Sequence, residues 1–194
     1  AEITYFDSPI LHAHSQGLTI EQRAVKRLMD ITLSLFALIV FSPAFIIIAL
    51  AIKLYDGGPV FYKQRRATKD LREFDILKFR SMIVDAEKDG PQPATDNDSR
   101  ITPVGKVIRA LRVDELPQII NILKGDMSVV GPRPERIEHV EKYSKEIPEF
   151  PCRYKVRGGL TGYAQVFGKY NTSAYNKLKM DLMYIENYSL YMDL

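Results

Sequence analysis

Residues 31–52, ITLSLFALIVFSPAFIIIALAI, carry no charge and hold Ser42-Pro43 at their centre. At about 1.5 Å of rise per residue, a helix over this run extends roughly 33 Å, close to the hydrocarbon thickness of a bilayer. Pro43 breaks that continuity, because it donates no backbone N–H and its ring clashes with the carbonyl one turn back. Ser42, as the residue before proline, is biased away from helical geometry. The run therefore predicts two helical halves with a break at Ser42-Pro43, whose freed carbonyls need partners such as the Ser42 hydroxyl.

Lys26 and Arg27 precede the run and Lys53 follows it. Cations favour the cytoplasmic side of a membrane, so a hairpin that enters, turns at Ser42-Pro43 and leaves on the same side keeps all three in one headgroup layer. This re-entrant arrangement is the expectation. A kinked spanning helix is the competing one and is the commoner fate of apolar runs of this length.

The 194 residues, 46% hydrophobic and 26% charged, suit one globular domain plus this membrane element. A net charge of +3 in a mixed pattern fits attraction to anionic lipid or phosphate better than a nucleic-acid stripe. Cys152 is alone, so no internal disulfide forms, as in a reducing compartment. No signal peptide is visible, and the absence of an initial methionine is compatible with further sequence upstream.

Residues 1–20 read as a tether, 21–55 as the re-entrant membrane helix and 56–194 as a catalytic domain, with Thr19 starting the helix that leads into the membrane. Two runs rich in aromatic and branched residues, 60–64 and 73–79, predict a β-hairpin. Residues 87–100, EKDGPQPATDNDSR, read as a mobile loop. From Pro103 a helical stripe of Val104, Val107, Ile108 and Leu111 opposes Lys106, Arg109 and Arg112, a pattern that suits either a lipid interface or the protein's own core. The expected class is α+β: a mostly helical catalytic domain with a small hairpin, amphipathic interfacial helices and the broken N-terminal helix.

Chemistry concentrates at Asp114-Glu115. Pro117 is tolerated in a first helical turn, so RVDELPQIINILKGD reads as a helix start with Asp114 near the N-cap. The positive end of a helix dipole favours an ionised carboxylate and attracts phosphate. Asp114 is thus either a simple cap or a group that attacks phosphorus or holds a divalent cation. Neighbouring side chains on a helix point about 100° apart, so two roles are expected, with Glu115 binding Mg²⁺ or steering Asp114. Gly131-Pro132-Arg133-Pro134 fixes the backbone around one guanidinium and suits phosphate recognition, with the turn itself as the alternative. Lys78 and Arg80 add positive charge or are simply solvated. Asp96-Asn97-Asp98 has the look of a metal-nucleotide triplet but also of ordinary turn formers. His12, His14 and His139 lack a metal-ligand spacing, and no P-loop is present.

Together these elements resemble the bacterial sugar transferase family, the monotopic phosphoglycosyl transferases. The resemblance rests on Lys26-Arg27, Ser42-Pro43, GPVFYKQ at 58–64, KFRSM at 78–82, DSRITPVGK at 98–106, DELPQIINILKGDMSVVGPRP at 114–134, GLTGYAQV at 159–166 and DLMYIENYSL at 181–190. It implies a membrane enzyme on the cytoplasmic face of the bacterial inner membrane, an oligomer being compatible. Such an enzyme moves a sugar phosphate from a nucleotide sugar, with UDP as the implied nucleotide, to polyprenol (undecaprenyl) phosphate, as the priming step of glycoconjugate or exopolysaccharide synthesis. It further implies Asp114 as nucleophile through a covalent phosphosugar intermediate, Glu115 beside it near Mg²⁺, and Arg133 on phosphate. Two departures stand out: ATKDL at 67–71 lacks the glycines common in that turn, and Lys169 stands where arginine is frequent. The rival expectations are a membrane-attached binding or scaffold protein without catalysis, and a glycosyltransferase that releases nucleoside diphosphate.

Overall fold

The computed structural model describes residues 18–86, 88, 90, 95, 98–168 and 172–194. Helix α1 (Ile20–Val40) begins at Thr19, whose side chain accepts from the Gln22 backbone while the Gln22 side chain accepts from the Thr19 backbone. This reciprocal cap satisfies donors that a helix start leaves unpaired. Helix α2 (Ser42–Asp56) follows at a bend of 61°. The break sits one residue earlier than expected, at Phe41, and Ser42 joins the first turn of α2, where proline is accommodated. A proline at 43 leaves the Ile39 carbonyl without its usual donor, and the Ser42 hydroxyl bonds that oxygen at 2.8 Å. No single described helix is long and apolar enough to cross a membrane, but the bent pair passes the same test by length and composition.

The cations before the apolar run do not project outward as the headgroup expectation required. Lys26 is buried, paired with the Asp193 carboxylate and donating to the Val130 carbonyl at 3.3 Å. Arg27 donates to the Ile122 and Leu123 carbonyls at 2.6 and 2.7 Å. Counting charges along a chain cannot reveal this, because unsatisfied helix carbonyls and a distant carboxylate compete with lipid for the same cations. Lys26, Asp30 and Ser34 form a buried polar stripe at i, i+4 and i+8. Asp30 Oδ1 accepts from Ser128 Oγ and the Val129 N–H at 3.0 and 2.9 Å. Helix α1 thus turns polar groups inward and leaves Leu28, Leu33, Phe36 and Ile39 exposed.

Strands β1 (Phe61–Ala67) and β2 (Glu73–Phe79) form the expected antiparallel hairpin, with β1 running three residues beyond 64. Its turn lacks glycine, yet Asp70 and Leu71 both take φ near 58°, a conformation that side chains disfavour. Helix α3 (Pro103–Ala110) buries Ile108 against Ile52 and Phe79 but leaves Val107 and Leu111 exposed, so the anticipated stripe is divided between core and surface.

Helix α4 (Gln118–Lys124) locks onto the hairpin through Asn121, which accepts from Leu77 N–H at 2.9 Å and donates to the Asp75 carbonyl at 2.8 Å. Strand β3 (Met127–Val130) lies parallel to β4 (Gly158–Thr161), a pairing the sequence did not announce. Between them run α5 (Ile137–Glu146) and the tight turn Phe150–Lys155. Helices α6 (Tyr163–Phe167), α7 (Ala174–Glu186) and α8 (Leu190–Asp193) close the chain, with α7 contributing Leu178 to a core of Ala67, Val140, Phe150 and Tyr154.

Candidate active site

The site grows from the short connection between α3 and α4. Arg112 takes a left-handed conformation (φ 58°), which ends the α3 path, and Val113–Glu115 make a single tight turn. Pro117, rather than Asp114, occupies the N-cap position of α4. The cap expectation for Asp114 is therefore corrected: one proline-enforced turn separates the carboxylate from the helix start.

That turn sends the two acids to different surroundings. Glu115 accepts from Lys78 Nζ at 2.9 Å and from both terminal nitrogens of Arg133, the Nη1 contact being 3.3 Å. Burial alone would raise its pKa, but Arg133 and Lys78 outweigh burial and hold it at about 2. Asp114 lies in the wall of a cavity of about 760 Å³, together with Lys78, Lys63, Arg66, Arg109 and Arg136. Burial raises its pKa above the usual carboxylate value, Lys78 and Arg109 oppose that rise, and Glu115 adds to it. Lys78 is itself pulled down by burial, against the support of Glu115.

Arg133 is positioned by the segment that leaves β3. The Gly131 N–H donates to Thr161 O and the Gly159 N–H to Pro132 O, each at 2.9 Å. A Cβ on Gly159 would fall 2.1 Å from Gly131 N, so only glycine allows the two segments to meet. From below, Arg153 Nη2 donates to the Arg133 carbonyl at 3.0 Å while pairing with Asp181 at 2.7 Å. Burial pushes Asp181 up to about 6, although Arg153 opposes it.

The structure brings Asp114, Glu115, Lys78 and Arg133 together. Arg80 lies on the cavity rim, but both its terminal nitrogens engage Asp56 at the end of α2, so its charge is tied to joining β2 to α2. Ser42 and Pro43 lie on the other element, at the helix bend. Asp98 accepts from Arg100 through both oxygens and is held well below the usual carboxylate range by it. Asp96, Asn97, Lys169, His12 and His14, like most of residues 87–97 of the expected 87–100 loop, lie outside the described residues. His139 faces Glu135 at 3.7 Å on the α5 surface.

Sequence reasoning missed Gln64, Arg66 and Arg136 as cavity residues. The signal was available in the strand period, since alternation along β1 puts Tyr62, Gln64 and Arg66 on one face. Among the described residues no group of three or more His, Cys, Asp or Glu could cage a metal ion. Magnesium needs no such cage, because it commonly takes one carboxylate together with water and substrate phosphates. Asp114 fits that demand. Glu115 does not while both its oxygens accept from cations.

The sequence profile of bacterial sugar transferases matches residues 21–194. A UDP-N-acetylgalactosamine-undecaprenyl-phosphate N-acetylgalactosaminephosphotransferase of Aeromonas hydrophila is 48% identical over 172 residues, covering 87% of this chain and 41% of the relative. A UDP-glucose:undecaprenyl-phosphate glucose-1-phosphate transferase of Klebsiella pneumoniae is 41% identical over 197 residues, 99% of this chain and 41% of the relative. The exopolysaccharide production protein PSS of Rhizobium leguminosarum bv. phaseoli is 40% identical over 179 residues, 88% of this chain and 90% of the relative. The chain spans 41% of the length of each of the first two.

Proposed function

The chain belongs to the bacterial sugar transferase family, and on that premise we propose that it transfers a sugar 1-phosphate from a UDP-sugar to undecaprenyl phosphate at the cytoplasmic face of the bacterial inner membrane. The observation that carries the proposal is the unequal pair at 114 and 115. Glu115 is locked as an ionised acceptor between Lys78 and Arg133, while Asp114 faces a cavity rich in cations.

Asp114 is the nucleophile. Its carboxylate oxygen attacks the phosphorus next to the sugar, and the bond from that phosphorus to the nucleoside monophosphate breaks, its electron pair leaving with the monophosphate. An acyl phosphate carrying the sugar remains on Asp114. An oxygen of the polyprenol phosphate then attacks the same phosphorus and releases the carboxylate, giving polyprenyl-diphosphate sugar. Two displacements at one carboxylate let a water-soluble donor and a lipid acceptor use the site in turn.

Partial burial leaves the Asp114 carboxylate less hydrated than an exposed one and raises its pKa, a rise that Lys78 and Arg109 oppose. Glu115 orients Lys78 and the guanidinium of Arg133 so that their remaining N–H groups meet phosphate. Mg²⁺ held by Asp114 and the donor phosphates would offset repulsion between carboxylate and diphosphate. Helices α1 and α2 form the re-entrant anchor: polar groups of α1 pack inward, and the exposed Leu33, Phe36, Ile39, Ile46, Ile47 and Leu50 meet lipid.

The test is product identity. Purified protein incubated with a panel of UDP-sugars, undecaprenyl phosphate and Mg²⁺ is expected to release UMP. Release of UDP instead would identify a glycosyltransferase, and absence of turnover across the panel would favour a membrane-attached binding protein.

A further inference from the structure

The cavity cations differ in what neutralises them. Lys78 is paired with Glu115 and Arg80 with Asp56. Arg66 is held only by neutral acceptors: Gln64 Oε1 receives its Nε and Nη2 at 3.1 and 2.6 Å, and the Pro134 carbonyl receives Nη1 at 2.9 Å. No described carboxylate forms an ion pair with it. The amide nitrogen of Gln64 donates to Tyr62 Oη at 3.3 Å, which fixes which end of the amide faces the guanidinium. Glu135 and Glu115 act on Arg66 from further off, without bonding to it, and a partly buried charge with no bonded carboxylate gains from a ligand that supplies one.

Geometry decides what kind of ligand. A guanidinium has five N–H groups, and the three bonds to Gln64 and Pro134 leave one on each terminal nitrogen. Both donors lie in one rigid plane, which suits oxygens of a phosphate. Arg136 lies opposite Arg66 across an isolated β-bridge, and both arginines line the cavity. Burial pulls the Arg66 pKa below its usual value; the Glu135 carboxylate opposes this, Arg136 and Arg133 add to it, and Glu115 opposes it again.

We propose that Arg66 binds a phosphate of the donor's diphosphate, and that Gln64 is a positioning residue that holds the guanidinium plane for it. This assignment rests on the nucleotide-sugar reading above and commits Arg66 to the donor rather than to the lipid phosphate. Tyr62, Gln64 and Arg66 lie at alternate positions along β1 and cover about 13 Å, enough for a diphosphate with part of its nucleoside.

Two measurements separate this assignment from the reading it rests on. Inorganic pyrophosphate binding, followed by calorimetry on detergent-solubilised full chain, needs no turnover: Arg66→Ala should weaken it at least about tenfold and Arg66→Lys less. In UMP release, Gln64→Ala should raise donor KM about three- to tenfold while kcat falls less than threefold and acceptor KM stays within twofold; a merely structural role would not divide the two KM values. If wild type and Arg66→Ala bind pyrophosphate equally, or if wild type does not bind it, the Arg66 assignment is overturned even where UMP is released. A rise in acceptor KM alone would overturn the commitment to the donor. If no UDP-sugar turns over but Arg66→Ala still abolishes pyrophosphate binding, the anion site stands and the transferase reading falls. Should Arg66→Ala fail to fold, Arg66→Lys and Gln64→Ala carry the same comparison.

Discussion

Replacing Glu115 by glutamine keeps the shape of the side chain and removes the charge between Lys78 and Arg133. Glu115 is held at about 2 against an ordinary 4.5, so folding favours its ionised form over its protonated form by about 3 kcal/mol more than the unfolded chain does, at roughly 1.4 kcal/mol per pKa unit. Part of that preference offsets the desolvation of Lys78, whose own pKa is lowered. Arg133, with a side chain 37% exposed, is partly screened and adds less. The expected net loss is about 2 kcal/mol, or a drop in Tm of about 4–8 °C for a chain of this size. The sign with pH is fixed by the direction of the shift. A depressed carboxylate contributes stability that is complete above its unfolded pKa and disappears as pH falls through its folded one. The Tm gap between wild type and Glu115→Gln should therefore be full at pH 7, narrow below about 4.5 and vanish near 2. The chain has no tryptophan, so circular dichroism melts in detergent are the assay. A gap at pH 3 as wide as at pH 7 would mean that packing, not charge, explains the loss, and no gap at pH 7 would refute the ion-pair argument.

Asp114→Asn should lower UMP release at least about a thousandfold while membrane partitioning persists, because it removes the proposed nucleophile and leaves the proposed anchor intact. In the wild-type protein kcat/KM should fall on acidification through a pKa above the ordinary aspartate value of 3.8, since burial raises Asp114 and only its ionised form attacks; an acid limb below that value would contradict the burial argument. Lys26→Met takes the cation from the Asp193 carboxylate, leaving it the Tyr184 hydroxyl, and should cost about 3 kcal/mol, most of it recovered by adding Asp193→Leu; equal melting of single and double variants would deny the pairing. Single cysteines at 20 and 60, in a Cys152→Ser background, should be labelled from the same side of sealed vesicles, and labelling from opposite sides would exclude the re-entrant hairpin.

Local rules reached the elements whose causes are local. Thr19 with Gln22, the Ser42 hydroxyl on the carbonyl that Pro43 leaves open, and the alternation that makes the hairpin are all readable within a few residues. The parallel pairing of β3 with β4 was hidden because each strand is only four residues long and their partnership spans the whole of α5. The protein partners of Lys26 and Arg27 were hidden for a related reason: they lie about a hundred residues or more further along the chain. At Asp114 and Glu115 the adjacency of two acids was legible, and the partners that set their electrostatics were not.

By itself the order of residues determined that an uncharged run must bend at its proline, that a hairpin must follow, and that two adjacent carboxylates must face different ways. Only the tertiary structure decided which carboxylate is neutralised and which faces the cavity, and which arginine is left with neutral partners. Periodicity and backbone sterics act over a few residues, whereas the field at a side chain is set by charges that folding draws from distant parts of the chain.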